Sequence, residues 1–130
     1  MRRFFGERFG DRQQGPRGHL EARSLGSGFI IDDSGLVVTS QHVIDNADEI
    51  EVILDDGRSF PVSIRGQDER TDIALLQIES TERFPYLALG DSDTARVGDW
   101  VVAIGNPFGL GGTTTSGIVS ARGRNINSGP

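Results

Sequence analysis

A chain of 130 residues, 25% charged and 35% hydrophobic, is sized for one soluble globular domain that buries roughly two-thirds of the surface its unfolded form exposes; a second domain is not expected. It contains no cysteine, which excludes disulfide frameworks, thiolate zinc sites and cysteine nucleophiles, and no lysine, which excludes the phosphate loop ending in Gly-Lys. The net charge of −6 conceals a split: residues 1–25 carry six Arg against three acids, leaving −9 on the remainder, so nucleic acid is an unfavourable partner.

Residues 1–24 are rich in Arg, Gly, Gln and Phe, with no period of 2 or 3.6, and Gly15, Pro16 and Gly18 interrupt any helix. They are expected to form a flexible arm or loop, in which Phe4, Phe5 and Phe9 invite a partner surface and His19 is solvated. The opening MRRFFGERFGDRQQ lacks the continuous apolar stretch of a signal peptide, so either the protein is not exported or its true N-terminus is missing. No apolar run approaches the ~20 residues of a membrane-spanning helix.

From Leu25 the pattern changes to short β-like runs: GSGFII, LVVTS, EIEVIL, SFPVSI, DIALLQI, WVVAIG and TSGIVSA. Turn signals separate them, with DDSG at 32–35, DDGR at 55–58 and GLGG at 109–112. Ile50, Val52 and Leu54 alternate with Glu51, Ile53 and Asp55, which predicts a half-buried strand paired through an Asp56-Gly57 turn to the next run. DIALLQI and WVVAIG are nearly continuous in apolar residues and predict strands packed on both faces. VIDNADE, after His42, suits a single helical turn. The class is all-β and antiparallel, closed into a barrel.

Two residues carry candidate chemistry. His42 follows the end of the LVVTS run, and Asp72 begins TDIALL. An imidazole and a carboxylate at two strand ends can meet across a barrel, where the carboxylate fixes the ring's tautomer and stabilises its cation. Spacing alone leaves open that His42 is a hydrogen-bonded structural residue. Asp32-Asp33 and Asp55-Asp56 lack the spaced oxygens of a calcium loop and read as turn residues. Gly109, Gly111 and Gly112 lack the following helix of a dinucleotide site, and Pro107 in Gly105-Asn106-Pro107-Phe108 sets a turn. No cofactor or metal is expected.

GSGFIIDDSGLVVTSQHVID, then TDIALLQI, then VVAIGNPFGLGGTTTSGIVSARGR resemble the HtrA/Deg (Do-like) family of trypsin-fold serine endopeptidases, in order and with the usual spacing, from about Leu25 to Arg124. The resemblance implies an antiparallel Greek-key β-barrel, the N-terminal barrel (incomplete) of a two-barrel protease, with the second barrel begun at GTTTSGIVSA. Residues 25–130 are then a partial protease domain. It makes His42 the general base of a Ser-His-Asp triad and Asp72 the carboxylate that orients it. Ser40 and Gln41 depart from the commoner Asn residues before the family's His.

The family's nucleophile lies in a Gly-Asn-Ser-Gly-Gly turn, and Ser128 in the terminal NSGP follows Arg124 too closely and lacks the second Gly. The chain therefore looks cut at both ends, and the 130 residues as given are expected not to cleave peptides. The resemblance further implies an ATP-independent endopeptidase of the bacterial periplasm or envelope, acting on unfolded or damaged polypeptides in protein quality control. It also implies a homo-oligomer, trimeric or larger, with PDZ domains after the protease domain and possible contacts through Phe4, Phe5 and Phe9. A catalytically dead, chaperone-like or peptide-binding module of the same fold is the alternative. The isolated chain is expected to be marginally stable or to self-associate, because a half protein exposes apolar surface.

Overall fold

The computed structural model describes residues 2–5, 25–106 and 112–123. Among these residues there are eight strands, one helical turn and one 3-10 turn, in the order β1 (Arg2–Phe5), β2 (Leu25–Asp32), β3 (Leu36–Ser40), α1 (Gln41–Ile44), β4 (Glu51–Ile53), β5 (Ser59–Asp68), β6 (Ile73–Ile78), the 3-10 turn Ser92–Thr94, β7 (Trp100–Gly105) and β8 (Thr113–Ile118).

The first six strands close a barrel in the order β1-β2-β3-β6-β5-β4, every pair antiparallel. Within it β4, β5 and β6 follow one another through hairpins and β3 lies beside β6, which is the Greek-key arrangement. The arm expected over residues 1–24 is corrected at its start: Arg2–Phe5 is a strand that pairs with both β2 and β4 and closes the ring. Its pairing runs through backbone groups, which alternation of side chains does not report. The rest of the arm, with Phe9 and His19, lies outside the described residues.

Side-chain alternation builds the core. Val37 and Thr39 on β3, Ile50, Val52 and Leu54 around β4, and Ala74, Leu76 and Ile78 on β6 point inward and are buried. Ile30, Val43, Ile44 and Phe84 complete the cluster. Each large aliphatic side chain so buried contributes roughly 1.5–3 kcal/mol relative to exposure. Phe60 meets Phe84 edge to face with ring centroids 5.3 Å apart. The Asp56-Gly57 turn forms as the pattern predicts, with Gly57 at φ 91° and its N–H donating to the Leu54 carbonyl at 2.9 Å. Gly26 is required for another reason: a Cβ there would lie 2.5 Å from Val43 Cγ1.

The remaining strands, β7 and β8, pair with each other and, among the described residues, with no other strand. WVVAIG is therefore not covered on both faces: Trp100, Val101, Val102 and Ile104 are exposed. The apolar run lacks a neighbouring sheet among the described residues, which is why its burial differs from the expectation. At its end the Asn106 N–H donates to Ser27 Oγ at 2.6 Å, and the Ser27 carbonyl accepts the Thr39 hydroxyl at 2.9 Å, fastening the ribbon to β2 and β3.

Candidate active site

The run LVVTS ends at Ser40, and the chain turns into α1, whose first N–H groups have no partner within so short a helix. Ser40, in the N-cap position, makes no side-chain capping bond. Asp72 supplies the cap from thirty residues away. Its main-chain carbonyl accepts the Gln41 N–H at 3.1 Å, and its Oδ1 accepts the His42 N–H at 2.9 Å.

The second carboxylate oxygen faces the ring. Asp72 Oδ2 lies 2.7 Å from His42 Nδ1, and because an ionised carboxylate only accepts, Nδ1 is the protonated nitrogen. In the neutral ring Nε2 then carries the lone pair. The His42 side chain is 71% exposed and that of Asp72 46%, so the pair sits at the surface with the ring open to an approaching group. Among the described residues Asp72 is the ring's only hydrogen-bonding partner.

Asp72 is held below the usual carboxylate range, first by the His42 backbone N–H and then by the His42 ring, with modest burial opposing. Its backbone is unusual as well, with φ at 56° in the left-handed region that few non-glycine residues occupy. The residue types and strand ends were visible in the sequence, but this conformation and the double hydrogen bond were not. The signal that could have revealed the loop is DERTD, where Asp68 is spaced to cap its own turn.

Ser40, Asp72 and Ile73 border a cleft of about 710 Å³ that runs to Phe29 on one side and to Val102 and Ile104 of β7 on another. Its walls are mainly apolar side chains and strand backbone. Asp32 and Asp56 sit in turns: Asp32 accepts the Ser34 N–H at 3.0 Å and Asp56 the Arg58 N–H at 3.0 Å. Ser34 holds the Asp32 carboxyl low by hydrogen bonding. Among the described residues no group of three or more His, Asp or Glu is arranged to hold a metal ion, and no helix is long and apolar enough to cross a membrane. Phe4 and Phe5 are described by backbone alone; Gly109, Gly111, Pro107 and Ser128 lie outside the described residues.

A family model of the trypsin-like peptidase domain matches residues 26–129. Among curated relatives, a protein of Rhizobium meliloti named as a probable periplasmic serine endoprotease, DegP-like, is 48% identical over all of this chain and 28% of its own length. One of the same name from Halomonas elongata is 50% identical over 97% of the chain and 27% of its own length. A Haemophilus influenzae protein named as a probable periplasmic serine protease, do/HhoA-like, is 55% identical over 96% of the chain and again 27% of its own length. The chain thus spans just over a quarter of the length of these relatives. Together with the six-stranded Greek-key barrel, these matches place the chain by descent: it belongs to the trypsin-like peptidase domain family, in its HtrA/Deg branch.

Proposed function

We propose that this chain is part of a periplasmic serine endopeptidase in which His42 is the general base and Asp72 its orienting carboxylate. The observation that carries the reading is the two-point grip of Asp72 on His42, through the main-chain N–H at 2.9 Å and Nδ1 at 2.7 Å. A ring held this way keeps one tautomer and one orientation, and Nε2 accepts the proton of a serine hydroxyl as that oxygen attacks the scissile carbonyl. Asp72 stabilises the imidazolium that results, and His42 then delivers the proton to the leaving amine.

The nucleophile and the oxyanion hole belong, on this reading, to the roughly three-quarters of the relatives' length that the chain does not span. The 130 residues alone are then inactive, since a base and an orienting acid without an activated hydroxyl form no acyl-enzyme. The substrates are unfolded or damaged polypeptides, handled in protein quality control without ATP, and the whole protein is a homo-oligomer. The relatives' names support the protease class and the compartment.

Labelling with a serine-directed fluorophosphonate tests the assignment. The 130-residue chain should take up none, and a longer protein carrying it should label in a manner abolished by His42→Ala. Labelling of the His42→Ala protein at the unmodified rate would remove His42 from the mechanism.

A further inference from the structure

The loop that presents Asp72 is tied down by a residue the proposed chemistry does not use. β5 ends at Asp68 and β6 begins at Ile73, and these two residues pair across the hairpin end, leaving 69–72 as a four-residue loop. Asp68 Oδ1 accepts the Arg70 N–H at 3.0 Å, and Oδ2 accepts the Thr71 hydroxyl at 2.8 Å. The loop's own backbone adds a long bond of 3.3 Å from the Asp72 N–H to the Glu69 carbonyl. A non-glycine residue at φ 56° persists where its surroundings over-determine it. Rotation of Asp72 out of that conformation would carry its carbonyl and carboxylate away from the Gln41 and His42 N–H groups they now accept.

The neighbouring hairpin provides the contrast. Asp56 there accepts the Arg58 N–H at 3.0 Å in the same fashion, but the left-handed position is filled by Gly57 at φ 91°, which adopts it without strain. We propose that Asp68 is a positioning residue: by clamping Arg70 and Thr71 it holds Asp72 in the left-handed conformation that brings its carboxylate to His42. The value of this clamp for catalysis rests on the reading of His42 and Asp72 given above, whereas its effect on the pair does not.

The test is NMR on the full 130-residue chain, following the exchange rate of the His42 amide and the downfield Nδ1–H resonance of its ring. Asp68→Ala should speed His42 amide exchange about tenfold, as expected for losing a hydrogen bond to a charged group, and broaden or remove the ring resonance. Asp68→Asn keeps an acceptor for Arg70 and can donate to the Thr71 hydroxyl, so it should restore both signals. Asp56→Ala should lower stability without moving either. Thr71→Val, which removes one of the two bonds, should give an intermediate loss and serves if Asp68→Ala does not fold. Unchanged His42 signals in Asp68→Ala, equal losses in Asp56→Ala, or failure of Asp68→Asn to restore them would each overturn the clamp. If instead His42→Ala leaves the longer protein active while Asp68→Ala still loosens the pair, the catalytic reading fails and the clamp stands.

Discussion

Asp72 holds His42 twice, with one carboxylate oxygen on the main-chain N–H and the other on the ring nitrogen Nδ1, while its own backbone stands at φ 56°. The first bond fixes where the α1 turn begins, and the second fixes the ring. Replacing Asp72 by Asn puts a donor opposite a donor at one of these points, favouring the wrong tautomer. On the general-base role proposed for His42, Asp72→Asn in a longer protein carrying this chain is expected to lower kcat by about 10⁴-fold with a smaller change in KM, measured on a peptide substrate under steady-state conditions.

The grip also predicts an acid limit. Because Asp72 is held below its ordinary value of 3.8, its ionised form is bound more strongly in the folded chain than in the unfolded one. That stabilisation is complete above pH 3.8 and is lost as pH falls through the lower folded value. Asp32, held low by Ser34, acts with the same sign. Urea midpoints of the wild-type and Asp72→Asn chains should therefore differ at neutral pH and converge in acid. A difference that stays constant down to pH 2 would show that the charge of Asp72 plays no part.

Gly26 and Val43 should be coupled. A Cβ on Gly26 meets both Val43 methyl groups, at 2.5 and 2.6 Å, and Val43 follows His42 in α1. Gly26→Ala is expected to cost about 1–3 kcal/mol by overpacking, and less when combined with Val43→Ala, which makes room. Denaturant unfolding of the two single variants and the double variant measures this. Simple additivity would mean that the strain is relieved elsewhere.

Leu76, fully buried on β6 between β3 and β5, is the counterpart in the core. Leu76→Ala is expected to destabilise the chain by about 2–5 kcal/mol, a large part of the stability of so small a domain. Thermal unfolding followed by far-UV circular dichroism checks it.

The β7–β8 ribbon predicts association. Trp100 is 79% exposed, with Val102, Ile104 and Ile118 beside it, and Tyr86, Leu87 and Leu89 are also exposed. The chain is expected to bind a hydrophobic dye and to sediment partly above monomer mass. Val102→Ser with Ile104→Ser should reduce both signals. A dye-free monomer in the unsubstituted chain would show that these residues find cover within it.

Much of the barrel was legible because side-chain alternation and turn chemistry are local. Ile50, Val52 and Leu54 announced their inward face, and Asp56-Gly57 announced its hairpin. Arg2–Phe5 was not legible as a strand, since its place is set by backbone pairing to β2 and β4, in segments twenty or more residues away. WVVAIG misled because an apolar strand reads as covered whether or not a neighbour is present to cover it. At the site, His42 and Asp72 stood out as residue types at strand ends, but their meeting depends on β3 lying beside β6. The left-handed turn at Asp72 and its clamp by Asp68 follow from loop geometry that single residues do not spell out.

The Greek-key order has a consequence in time. The β2–β3, β4–β5 and β5–β6 hairpins join segments adjacent in the chain and form on a scale of about 1–10 μs, whereas β3 must wait for β6 across the intervening β4–β5 chain. His42 and Asp72 lie on the two sides of that late seam. During refolding the His42 amide is expected to become protected with the slow phase, after the hairpin amides, so that the imidazole acquires its orientation only as the barrel is finished.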